Sequence, residues 1–209
     1  MKPEFDDTKV ALIDLDGTVA DFEKALRDKL AELASPHDFK ELGSIDEWTI
    51  GNEPYPDWLG ARISLIKKQD GFWENLPPIP TGMGVYNLLG RMGYQRMVLT
   101  QGPRSTETAW TEKKRWCSQY LPTAGVTITQ DKSLFYGKVL FDDYPPYIRG
   151  WLKYRPRGKV LMLEATHNKG FQHPNLFSIK RYEGPSDGDK AAKQLKQIEK
   201  FLNQPVGGL

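Results

Sequence analysis

The stretch Val10-Ala11-Leu12-Ile13-Asp14-Leu15-Asp16-Gly17-Thr18-Val19-Ala20-Asp21-Phe22 decides how the rest of the chain is read. Its first four residues are apolar without interruption, the pattern of a strand covered on both faces, as in a parallel sheet flanked by helices. Two carboxylates follow at i and i+2. A strand repeats every two residues, so a strand running on unbroken would present Asp14 and Asp16 on one side. Gly17 then permits a sharp exit. In an open parallel sheet, ligands bind in the crevice beyond the carboxyl ends of the strands. Taken alone, the motif has a plainer reading, an Asp-Gly turn closing an edge strand.

Outward from this stretch, aliphatic runs at Lys9–Asp14, Arg96–Thr100, Gly125–Thr129, Lys138–Asp142 and Lys159–Glu164 predict strands. Helical spacing of apolar groups lies between them: Phe22, Leu26, Leu30 and Leu33, then Val85, Leu88, Leu89 and Met92, then Ala109, the Lys113 stem, Trp116 and Tyr120. Residues Gly188–Asn203 place Ala191, Leu195, Ile198 and Leu202 on the face of a last helix. This alternation predicts an α/β fold, a doubly wound parallel sheet with helices on its faces. It breaks from about residue 34 to 80, where Trp48, Trp58, Phe72 and Trp73 stand among prolines and glycines. The exit Leu76-Pro77-Pro78-Ile79-Pro80 has the stiffness of a hinge. We therefore expect a core of residues 1–20 and 80–209, interrupted after the first strand by a small, mainly helical cap, residues 21–79.

Composition narrows the class. At ~150 residues per domain, 209 residues make between one and two domains. A hydrophobic share of 39% excludes a disordered chain. The longest apolar runs, Val10–Ile13 and Val160–Leu163, fall far short of the ~20 residues of a membrane span. Met1–Asp7 has neither the apolar stretch of a secretion signal nor the character of a transit peptide, so a cytoplasmic location is the expectation. Cys117 is the single cysteine, which excludes an internal disulfide and a paired-cysteine zinc site. A net charge of +2 gives electrostatics no reason to nominate nucleic acid as a partner.

Two other strand ends carry polar chemistry. Val98-Leu99-Thr100-Gln101-Gly102 delivers a hydroxyl and backbone N–H groups, and Phe141-Asp142-Asp143-Tyr144-Pro145-Pro146 delivers two more carboxylates. Each alone reads as an ordinary turn, and Lys113 and Lys132 alone read as solvated surface lysines. Together they read differently. Asp14, Asp16, Asp142 and Asp143 converging on one sheet edge would repel unless a divalent cation and a lysine compensated them. Oxygen-only donors in an open site suit Mg²⁺ rather than zinc. His37, His167 and His173 show no metal-ligand spacing and read as structural or surface histidines.

The Asp-x-Asp-Gly-Thr strand end, the Leu99-Thr100-Gln101 strand end, Lys132 and the Asp142-Asp143 pair, in that order, resemble the four motifs of the haloacid dehalogenase (HAD) superfamily of phosphotransferases. More narrowly, Asp14–Phe22, Gly71–Pro80, Lys113–Trp116, Gln130–Ser133 and Thr166–Asn168 are similar to segments of the 5′(3′)-deoxyribonucleotidases. The resemblance implies a HAD-like core with Asp14 as nucleophile and Asp16 as general acid/base. It implies Mg²⁺ held by Asp14, the Asp16 backbone carbonyl and Asp142, with Asp143 in support. Thr100, Gln101 and Lys113 would bind phosphate, Lys132 would neutralise the nucleophile and bind phosphate with them, and the cap, through Phe22 and Trp48, would hold base and sugar. Phe72 and Trp73 fit either a pocket wall or the cap's own core.

Three positions depart from the family pattern: Gln101-Gly102 where Ser-Pro is usual, Gln130 in place of a basic residue, and Ile66 near an expected pocket tryptophan. The expected activity is Mg²⁺-dependent hydrolysis of nucleoside monophosphates through an aspartyl-phosphate, with a small-molecule partner, no membrane and room for a homodimer. Rival readings are a HAD phosphatase for another phosphomonoester, such as a sugar phosphate or a nucleic-acid 3′-phosphate, or a nucleotide-binding protein without turnover.

Overall fold

The computed structural model describes residues 9–33, 35, 57–103 and 106–205. Six strands form one sheet: β1 (Val10–Ile13), β2 (Gln95–Thr100), β3 (Gly125–Ile128), β4 (Val139–Phe141), β5 (Lys159–Leu163) and β6 (Leu176–Ile179). Their order is β3-β2-β1-β4-β5-β6 and every pairing is parallel. The chain winds outward one way from β1 to β3 and the other way from β4 to β6. The reversal lies between β1 and β4, and such a switch point leaves an open crevice at the carboxyl ends of its two strands.

Side-chain alternation builds two cores from the same strands. Ala11 and Ile13, Val139 and Phe141, and Leu161 and Leu163 point to one face; Val10 and Leu12, Leu140, and Val160 and Met162 point to the other. The first face is covered by α3 (Pro80–Arg91), α4 (Thr108–Tyr120) and α6 (Gly188–Asn203), through residues such as Leu89, Trp116 and Ile198. The second is covered by α5 (Pro145–Tyr154) through Ile148, Trp151 and Leu152. The doubly wound sheet expected from the alternation is therefore the observed one. No helix among the described residues is long and apolar enough to cross a membrane.

Two elements were absent from the sequence reading. Helix α5 begins at Pro145-Pro146, which read as a turn; proline suits the first helical turn because its missing N–H has no partner there anyway. Strand β6 is a short edge strand, mostly half-buried, so it lacks the continuous apolar run of its neighbours.

Between β1 and α3 the described residues form α1 (Phe22–Leu33) and α2 (Asp57–Lys67). The chain leaves the sheet and returns to it at one place: Asp21 N–H donates to the Pro77 carbonyl (2.7 Å) and Ile79 N–H to the Val19 carbonyl (2.8 Å). Leu26, Leu30, Leu59 and Ile66 from this segment join the apolar cluster that contains α3 and α4. Ile66 is fully buried there. Trp48 and His37 lie outside the described residues.

Candidate active site

Strand β1 ends at Ile13, but its ladder carries one residue further, with Asp14 N–H donating to the Phe141 carbonyl (2.8 Å). The chain then turns. Leu15 O accepts from the N–H groups of Thr18, Val19 and Ala20. Gly17, at φ +75°, takes the left-handed conformation this turn requires, and a Cβ there would sit 2.3 Å from a carboxylate oxygen of Asp143. The two aspartates thus reach the site by a tight loop rather than by the unbroken strand the i, i+2 spacing assumed. Both line one cavity of about 780 Å³ at the switch point.

Asp14 and Asp142 share a cation. The Lys132 ammonium, buried, lies 2.8 Å from Asp14 Oδ1 and 2.7 Å from Asp142 Oδ2. Asp143 completes the group, and one carboxylate oxygen from each of Asp14, Asp142 and Asp143 lies within 4.8 Å of the others. Around them Tyr144 N–H donates to Asp142 Oδ1 (2.9 Å) and Thr18 Oγ1 donates to Asp143 Oδ1 (3.2 Å). Burial pushes the Asp14 carboxyl well above the usual carboxylate range; Lys132 pulls it back, while Asp142, Asp143 and Asp16 add to the rise. Burial likewise raises Asp142 against the pull of Lys132. Burial works against the Lys132 charge, but Asp14 and Asp142 outweigh it and hold the ammonium above its ordinary range. More negative charge is gathered here than one lysine balances, and a hard divalent cation fits three oxygen donors at this spacing.

Asp16 lines the same cavity with a partner of its own. Its Oδ2 accepts a short hydrogen bond from the Lys113 ammonium, while its Oδ1 is buried with no partner among the described residues. Lys113, itself buried, also donates to Thr100 Oγ1 (3.3 Å) and to the Gln101 carbonyl (2.8 Å). The structure therefore brings Asp14, Asp16, Asp142, Asp143, Lys132, Lys113, Thr100 and Gln101 to one sheet edge, and Phe22 lines the same cavity. The Asp16 carboxylate is outside the three-carboxylate group. The Gln101 amide is engaged at both ends: Tyr147 Oη donates to its oxygen, and its nitrogen donates to Gln130 Oε1 (3.0 Å). Gln130 in turn donates to the Gly102 carbonyl (2.9 Å), so the two departures from the family pattern support one another.

Sequence reasoning missed several residues. His167, read as structural or surface, lies with Nε2 3.1 Å from Asp143 Oδ2 and Nδ1 3.7 Å from Glu23. Its hydrogen bonds to Asp143 and then Glu23 raise its pKa to about 10. Asn168 donates to the carbonyls of Asp143 and Leu163 (both 2.8 Å), which ties the end of β5 to the metal-type group. Tyr147 places its ring under Lys132, with the ammonium 4.6 Å from the ring centroid. Of the two aromatics the sequence left between a pocket wall and the cap's core, Trp73 stacks on Phe22 with centroids 5.3 Å apart, and Phe72 meets Trp73 edge-on at 5.2 Å. The histidine had no motif spacing. The stack of Phe22 on Trp73 joins positions far apart in the chain, so no local pattern announces it.

Comparison with known proteins places this arrangement. Residues 8–176 match the model of the family described as 5′-nucleotidase, deoxy (pyrimidine), cytosolic type C protein. A Bordetella bronchiseptica protein with an inferred 5′(3′)-deoxyribonucleotidase assignment is 30% identical over 164 residues, 76% of this chain and 84% of its own. The human 5′(3′)-deoxyribonucleotidase, cytosolic type, is 26% identical over 170 residues, 76% of this chain and 81% of its own. In fold, the chain is similar to a Burkholderia xenovorans structure assigned to haloacid dehalogenase-like hydrolases, with a TM-score of 0.55 at 16% identity, covering 94% of this chain and 99% of that one. The chain belongs to the cytosolic type C family of 5′-nucleotidases, and it is a deoxyribonucleotidase-like phosphomonoester hydrolase with a HAD-like fold.

Proposed function

We propose that the protein hydrolyses deoxyribonucleoside monophosphates to nucleoside and phosphate, with Asp14 as nucleophile and Asp16 as general acid/base. The observation that carries this reading is the division of labour between the two aspartates: Asp14 lies against Lys132 in the three-carboxylate group, whereas Asp16 lines the same cavity paired with a different lysine, Lys113. Two carboxylates of one cavity held by different lysines suit a displacement in which one attacks phosphorus while the other meets the leaving oxygen.

In the first half-reaction an Asp14 oxygen forms a bond to phosphorus as the bond from phosphorus to the ester oxygen breaks. Asp16 gives its proton to that oxygen, releasing the nucleoside and leaving an aspartyl-phosphate. In the second, Asp16 takes a proton from water, whose oxygen attacks phosphorus. Phosphate departs and Asp14 is restored. Lys132, Lys113, Thr100 and the backbone at Gln101-Gly102 would hold the phosphoryl oxygens, and such charge placement supplies most of the acceleration in phosphoryl transfer. Asp14, Asp142 and Asp143 would hold Mg²⁺, with the Asp16 backbone carbonyl, and the ion would neutralise phosphoryl charge. Residues 21–79 would act as the cap that selects the leaving group, with Phe22 toward base and sugar. The family name and the human relative's cytosolic type support a cytoplasmic setting.

Phosphate release from a panel of deoxynucleoside and ribonucleoside monophosphates with Mg²⁺ tests the reading. Turnover of at least one deoxynucleotide, lowered about a thousandfold or more by Asp14→Asn, is expected. Hydrolysis confined to sugar phosphates or to 3′-phosphorylated DNA would overturn the substrate assignment while keeping the chemistry.

A further inference from the structure

Helix α4 contributes two neighbouring charges to opposite tasks. Lys113 reaches Asp16, as described, while Glu112 turns away from the site and is buried at 5% exposure. Its oxygens accept one backbone N–H each, from Gly71 (2.9 Å) and Trp73 (3.0 Å). It has no ion pair with any described residue. A desolvated carboxylate without a counter-cation is costly unless donors replace its water. Here the replacement is a concavity of backbone N–H groups. Gly71 sits at φ +80°, which turns successive amides inward, and Asn75 closes the turn by donating to the Gly71 carbonyl (2.7 Å).

What this clamp holds is Trp73, whose own Nε1 donates to the Lys67 carbonyl (2.9 Å). One face of its indole stacks on Phe22, which lines the active-site cavity. The Lys113 ammonium, already bound to Asp16, lies 4.5 Å from the indole centroid. Two more α4 residues grip the same return segment: Trp116 donates to the Leu76 carbonyl (2.7 Å) and Arg115 pairs with Glu74 (3.1 Å).

Resting on the function proposed above, we infer that Glu112 is a positioning residue for the leaving group: it fixes Trp73 against Phe22, so that the indole sets the wall facing the substrate. Glu112 touches no reacting atom. Its effect is transmitted by Trp73, and it should matter only for substrates whose leaving group meets the Phe22 wall.

The test compares kcat and KM of wild type, Glu112→Gln and Trp73→Phe on a deoxynucleoside monophosphate and on p-nitrophenyl phosphate, whose leaving group is small and departs without a proton. Glu112→Gln keeps the shape but turns an amide N–H toward a backbone N–H. We expect kcat/KM for the nucleotide to fall roughly ten- to a hundredfold, the loss of about one buried charge-assisted hydrogen bond, with the p-nitrophenyl phosphate value within about twofold of wild type. Trp73→Phe retains the clamped N–H and a ring, so it provides the same split if the Gln variant folds poorly. Equal losses on both substrates, or none on either, would overturn the inference. If wild type ignores nucleotides, the proposed substrate fails, and the same split is then read on the bulkiest phosphomonoester it does hydrolyse.

Discussion

Lys132 shows most clearly how single residues carry this site. Alone in the sequence it is indistinguishable from a surface lysine; in the fold it is buried and shared by Asp14 and Asp142. Removing one member of such a group leaves the others charged and unsolvated, which typically costs about 3–5 kcal/mol. Lys132→Met should therefore lower unfolding free energy in metal-free buffer by about that amount, measured by urea titration, and Mg²⁺ should recover part of it by supplying the missing positive charge. An unchanged urea midpoint would show that the ammonium does not hold the carboxylates. The aspartates were legible because each stands at the end of an apolar strand, where the fold class itself predicts a crevice. Glu112 and His167 were not legible. Their partners, Gly71 and Trp73 for the one and Asp143 and Glu23 for the other, lie far away in sequence; the Thr166–Asn168 segment was similar to the family's, but that likeness gave His167 no role.

Among the elements, those built from uninterrupted aliphatic runs could be read directly, with strand ends differing from expectation by a residue or so. Helix α5 and strand β6 were missed because the first starts on prolines and the second is a half-exposed edge. The last helix was read correctly, but not what secures it. Lys159, at the start of β5, donates to the carbonyls of Phe201 and Leu202 (both 2.8 Å) and also to that of Gln204. These carbonyls are at the end of α6, where intrahelical partners run out, and a cation there also meets the negative end of the helix dipole. Lys159→Met should cost about 1–3 kcal/mol of stability with little change in kcat, because the contact lies at the opposite edge of the sheet from the active site. Hydrogen exchange localised to Phe201–Gln204 would identify the origin of the loss, and an unaffected helix end would refute it.

For the whole molecule, sequence alternation and sheet order agree, and the switch point between β1 and β4 explains why motifs scattered from Asp14 to Asp143 meet. The break in that alternation falls between Val19–Asp21 and Pro77–Ile79, two segments that pair where the chain leaves and rejoins the sheet. If the three-carboxylate group holds Mg²⁺ as proposed, folding and cation binding become interdependent. At Mg²⁺ near a hundred times its Kd, the linkage is worth about 2.7 kcal/mol. For a chain of this size that is an upward Tm shift of about 5–10 °C, and Asp142→Asn should abolish most of it. The central claim, that Asp14 itself becomes phosphorylated, is tested most directly by rapid acid quench of a turnover with ³²P-labelled deoxynucleoside monophosphate, followed by peptide mapping. The account predicts an acid-stable, base-labile label on the peptide containing Asp14, absent in Asp14→Asn. Turnover with no labelled protein at any time, or label on a different residue, would contradict it.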